Sequence, residues 1–156
     1  MSVLGDIARV SPVELERLRT VSDAYGYLSD QVPTCDLDRY WDGLRFAMDA
    51  AGFPINPIGG EPYPDEGSTW GEGGPHTNSC ALTSDQVRQV ASLLAATPFT
   101  ALTKHLTAGG TAGLYPANRN WASPVVHSCA AGYYRGLVEF FQEAAAAGQC
   151  TVFWAA

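Results

Sequence analysis

With 156 residues, 46% of them hydrophobic and 16% charged, the chain has the length of one domain and the composition of a globular rather than a disordered protein. A domain of this size buries about 70% of the surface its unfolded chain exposes, so it holds a core without metals or disulfide staples. The formal net charge of −7, with the basic residues dispersed, repels polyanions and argues against nucleic acid or anionic membrane and for a cationic partner.

No segment offers the ~20 consecutive apolar residues of a membrane span, and MSVLGDIARVSP lacks the basic and apolar regions of a signal peptide, so a cytoplasmic protein is expected. Cys35, Cys80, Cys129 and Cys150 are widely spaced with no Cys-x-x-Cys pair, which in a reducing compartment predicts buried free thiols.

In chain order, residues 2–10 read as a strand. Ser11, Pro12 and Glu14 then form a capping box with proline in the first helical turn. After Pro33, Asp36 is a candidate cap for a second helix, with Leu37, Tyr40, Trp41, Leu44 and Met48 at one-face spacing and Gly52-Phe53-Pro54 as its stop. Residues 56–75 are dense in Gly and Pro and show neither helical nor strand periodicity, which predicts a long loop. Loops of that length usually carry function.

Thr83 with Gln86 is a second capping box, followed by the apolar stripe Val87, Val90, Ala91 and Leu94 up to Thr97-Pro98. A short helix through Phe99, Leu102 and Leu106 ends at Gly109-Gly110, and residues 109–123 are again loop. A long helix is expected over 124–147, with Val126, Ala130, Tyr133, Leu137, Phe140, Phe141 and Ala144 on its buried face and Gly148 at the C-terminal cap. Residues 150–154 read as a closing strand beside the first. The fold class expected over 1–156 is a single α+β domain, with several amphipathic helices packed on a small sheet that includes the N- and C-terminal strands.

The succession of LGDIARVSPVELERL (4–18), DLDRYWDGLRFAM (36–48), NPIGGEP (56–62), LTSDQVRQVASLL (82–94), the LYP…W segment (114–121) and LVEFFQEAAAAGQCTVFW (137–154) resembles the YfbM-like family, a bacterial domain of unknown function. The resemblance spans essentially the whole chain and implies an α+β fold. It carries no catalytic residue over. Where YfbM-like chains commonly pass from the GGEP turn to the next helix through a short Tyr-Gly stretch, this chain has STWGEGGPHTNSC (68–80).

Four constellations are candidates for chemistry. His76 with Cys80, oriented by Glu61 or Glu72, has the residue types of a thiolate nucleophile and its base, although a cysteine before a helix is more often packed than reactive. His76, Cys80, His127 and Cys129 are ligand types that zinc accepts, but on one helix positions 127 and 129 point ~200° apart, and no metal or other cofactor is expected. Asp36 and Asp38 are paired carboxylates that a helix start explains as well. Trp70 and Trp121, with Tyr115, Asn118 and Arg119, have the character of a pocket lining or an interface anchor, with packing the competing explanation. The glycines do not form a phosphate loop, and neither a Gly-x-Ser-x-Gly elbow nor a His-Glu-x-x-His helix occurs.

The pattern favours a soluble binding module that recognises a small molecule or a cationic protein through one surface built from loops 56–80 and 109–123, with Trp70 and Trp121 at its centre. The alternative is a small enzyme using His76 or His127 as general acid/base with Glu61 or Cys80 nearby. Sequence spacing does not select an oligomeric state.

Overall fold

The structure is a computed structural model that describes residues 2–21, 23–64 and 79–156. Five strands form one antiparallel sheet: β1 (Gly5–Val10), β2 (Thr34–Asp38), β3 (Glu61–Pro62), β4 (Cys80–Leu82) and β5 (Cys150–Ala155), in the order β2-β1-β5-β4-β3. The first and last strands lie side by side, from Gly5 opposite Ala155 to Val10 opposite Cys150. This position explains the composition of β5, which is buried along its entire length because it has strands on both sides and helices on both faces.

The helices divide between those faces. Alternation along the strands sends Ile7, Cys35, Leu37, Leu82, Phe153 and Ala155 into a larger core, which they share with α3 (Trp41–Ala50), α4 (Ser84–Ala96), α5 (Thr103–Gly109) and α6 (Pro124–Ala146). Their neighbours Ala8, Val10, Ala81, Cys150, Val152 and Trp154 face a smaller core under α1 (Pro12–Leu18) and α2 (Ala24–Asp30). A 3-10 turn at Phe99–Ala101 leads into α5.

Both capping boxes form: Ser11 accepts from the amide of Glu14, and Thr83 from that of Gln86. Helix α6 ends at Gly148, whose φ of +65° is left-handed and costs glycine little, while the Gln149 amide closes back onto the Ala144 carbonyl at 2.9 Å.

Three elements differ from the sequence expectation. Residues 34–38 are strand, not the start of a helix, so Asp36 is not a cap and α3 begins only at Trp41. The alternation of exposed Thr34 and Asp36 with buried Cys35 and Leu37 has a period of two, and pairing with β1 rewards it more than one additional helical turn would. The expected 56–75 loop includes the edge pairing of β3 with β4, and α2 forms where no helix was expected. On α6 the buried tyrosine is Tyr134 rather than Tyr133, and Cys129 is exposed rather than buried. All four cysteines are free thiols.

Candidate functional site

At the β2 end of the sheet the chain turns into α3 through Asp38, whose φ of +47° lies in the left-handed region, where aspartate is one of the few side chains commonly found. Three hydrogen bonds hold it there. The Asp38 amide donates to the Asp36 carboxylate at 2.7 Å, the Arg39 amide to Asp38 Oδ1 at 2.7 Å, and the Tyr133 hydroxyl to Asp38 Oδ2 at 3.1 Å. Burial, and then this bond to Asp38, push the Tyr133 phenol up to about 12, so it remains a donor at neutral pH.

The turn presents Arg39 and Tyr40. The Tyr40 ring stacks on Tyr133 with centroids 5.0 Å apart, and meets Trp121 edge-on at 6.1 Å.

The facing wall is the connection from α5 to α6. Tyr115 is fixed at three points: its amide donates to Asp42 Oδ2 at 2.9 Å, its hydroxyl accepts from the Val3 amide at 2.7 Å, and its ring stacks on Trp41. Asp42 also binds Arg45 at 2.6 Å, so both of its oxygens are occupied. Residues 116–119 form a turn closed by the Arg119 amide on the Pro116 carbonyl at 3.1 Å. The Arg119 guanidinium lies over the Tyr40 ring at 3.9 Å from the centroid, with Trp121 at 5.2 Å, and donates from Nη1 to the Arg39 carbonyl at 2.8 Å.

Between these walls is an open cleft of about 680 Å³ lined by Ser2, Arg39 and the run 115–119. The site thus brings together three of the residues the sequence singled out, Tyr115, Asn118 and Arg119. It adds Arg39, Tyr40 and Ser2, which the sequence reading missed. The available cue was the strand period of 34–38, which makes Asp38–Tyr40 a turn instead of a helix interior.

Trp121 does not line the cleft. Only 2% of it is exposed, and its indole packs so closely on Gly43 that a side chain at 43 would collide with it. Core packing accounts for this tryptophan, which acts on the site as part of the floor under Arg119. Its indole N–H is buried with no acceptor among the described residues.

His127 lies below the same wall. Its Nε2 is 2.7 Å from the Trp121 carbonyl, which can only accept, so Nε2 carries a hydrogen there; Thr107 Oγ1 is 3.4 Å away. Glu61 and Cys80 are at the other end of the sheet, on β3 and β4, and are not brought to the cleft. Burial pushes the Cys80 thiol up to about 11, against the thiolate that a nucleophile requires. Trp70, His76 and Glu72 lie outside the described residues, as does the expected approach of loop 56–80 to loop 109–123. Among the described residues no three His, Cys, Asp or Glu side chains are grouped to hold a metal ion.

This is the class of α+β domain in which a five-stranded antiparallel sheet, with its terminal strands paired, is covered by helices on both faces. The family profile described as "Domain of unknown function (DUF1877)" matches residues 1–154, and the chain belongs to that family. Among solved structures it is similar to the protein of unknown function YfbM from Escherichia coli, with 14% identity, a TM-score of 0.72, and coverage of 98% of this chain and 99% of that one. At that identity the likeness establishes the fold. No curated protein matches the chain.

Proposed function

We propose that the protein is a soluble, cytoplasmic, non-catalytic binding module that holds a small molecule in the cleft between the 38–40 turn and the 115–119 run. One observation carries this: Arg39 and Arg119 converge on a cleft whose lining contains no carboxylate, in a chain whose net charge is −7. A cationic protein partner suits the overall charge, but it does not suit this lining. The walls are also pre-positioned, by Asp42 and Val3 on one side and Tyr133 on the other, which lowers the ordering cost of binding. Among the described candidates, two features favour binding over catalysis: the Cys80 thiol is held protonated by burial, and Glu61 and Cys80 sit on β3 and β4, at the end of the sheet away from the cleft.

A metabolite and fragment screen by thermal shift tests the proposal. A ligand that binds only the folded state raises the melting temperature with the logarithm of its concentration, and its contact site is mapped by amide chemical shifts. Binders are expected to move the resonances of Ala117 and Asn118. A set of binders that leaves both unmoved would overturn the assignment of the cleft.

A further inference from the structure

We infer that the group recognised in this cleft is a compact oxyanion, a carboxylate or phosphate carried by a small molecule. The inference rests on the cleft being the binding site, and it comes from counting donors and acceptors around it. Arg119 spends one guanidinium hydrogen on the Arg39 carbonyl and its face on Tyr40, and no carboxylate pairs with it among the described residues. Its Nε/Nη2 edge is left with two parallel N–H groups, the fork that matches a carboxylate or phosphate. The Arg39 guanidinium meets Asp38 through Nε, at 3.5 Å, and its side chain is 47% exposed, with no carboxylate on its terminal nitrogens among the described residues.

The turn adds to this set. In the 116–119 turn the amide of Arg119 closes the ring, whereas those of the central residues Ala117 and Asn118 have no protein acceptor among the described residues, and both residues are exposed on the cleft. Guanidinium and backbone N–H groups donate and cannot accept, and no carboxylate lines the cleft, so its charged groups select for an anion.

The acidic residues bonded to the cleft walls are engaged by other groups. Asp42 is occupied by Arg45 and the Tyr115 amide, and Asp38 by Arg39 and the Tyr133 hydroxyl. Asp36 accepts from the Asp38 amide and is exposed on β2. These carboxylates limit the charge the cleft takes, which favours one compact anionic head over a polyanion.

The experiment titrates the 15N-labelled protein with sodium acetate and, separately, inorganic phosphate, each at constant ionic strength balanced with sodium chloride. A panel of neutral fragments is run in parallel. Saturable movement of the Ala117 and Asn118 amides by either anion, weakened roughly tenfold or more in both Arg119→Gln and Arg39→Gln, is expected. Acetate against phosphate distinguishes the two head groups. The exposed Arg39→Gln variant keeps the test decisive should Arg119→Gln fail to fold. Movement that chloride reproduces, or that persists unchanged in the folded variants, would overturn the oxyanion assignment. If neutral fragments move these amides and neither anion does, the oxyanion inference falls while the binding cleft stands. If nothing moves them, both fall.

Discussion

The 56–64 stretch and the 110–123 connection look alike as sequence, both punctuated by Gly, Pro and Asn, yet they use their polar groups in opposite ways. In the first, Asn56 donates to the Arg45 carbonyl and Asp49 and accepts from the Ile58 amide, and the buried Tyr63 hydroxyl donates to the Leu15 carbonyl at 2.9 Å. Gly60, with φ of +131°, lets the backbone pass so close to the Ala81 carbonyl that no side chain fits. That stretch is the seam that joins the sheet edge to both cores. In the second, Tyr115 is secured in the same manner and Trp121 by packing on Gly43, but Arg119 and the turn amides keep donors with no protein acceptor among the described residues, in a segment that lines a cleft. Loop composition therefore says where the chain bends. The balance of satisfied and unsatisfied donors says which bend is available to a ligand.

The largest way to break this contrast is Trp121→Ala, which removes the floor beneath Arg119 and leaves a void against Gly43. A loss of about 3–5 kcal/mol in urea unfolding is expected, and a loss under 1 kcal/mol would mean that the indole is not packed as described. Gly60→Ala should cost about 1–3 kcal/mol, because its Cβ meets backbone and not a movable side chain, whereas Gly113→Ala, with φ of +74° but open space around it, should cost less. Equal losses at the two glycines would erase the distinction between seam and cleft wall. Asp42→Ala removes the acceptor of the Tyr115 amide. About 1–3 kcal/mol is expected, with faster hydrogen exchange at Tyr115 than elsewhere in the segment.

A smaller effect tests the neighbouring sheet edge. Burial, and then the charge of Asp36 opposite it, raise Asp6 from 3.8 to about 6. A carboxyl with a raised folded-state value binds its proton more tightly when folded. Its contribution is therefore fully present below about pH 4 and is lost as pH rises through about 6. Asp6→Asn should flatten the stability profile over that window, and an unchanged slope would show that Asp6 does not titrate there. The smallest expected effect is that of Arg39→Gln on stability, within about 0.5 kcal/mol, since this exposed ion pair contributes little to folding.

Local chemistry made much of the framework readable from the chain: the Ser11 and Thr83 capping boxes, the stripe of α4, and the extent of α6 with its Gly148 stop. Each depends on residues within about one helical turn or one strand period of each other, so linear spacing carries the information. The cleft was only half legible. Tyr115, Asn118 and Arg119 stood out by type, while Arg39 and Tyr40 were hidden inside what read as a helix.

What the tertiary structure alone decided is the assignment of roles. Residues 36–38 read as a helix start from the apolar spacing that follows them and as strand from the period of two over 34–38, and pairing with β1 resolves them as strand and turns Asp38 into the left-handed corner that presents Arg39. Trp121 would serve a pocket or a core equally well as a residue type, and the small Gly43 on α3, 78 positions earlier, is what admits it to the core. Sequence spacing determines which groups a segment offers to its near neighbours. Which of those groups stay unspent depends on partners distant along the chain, and only packing brings these into contact.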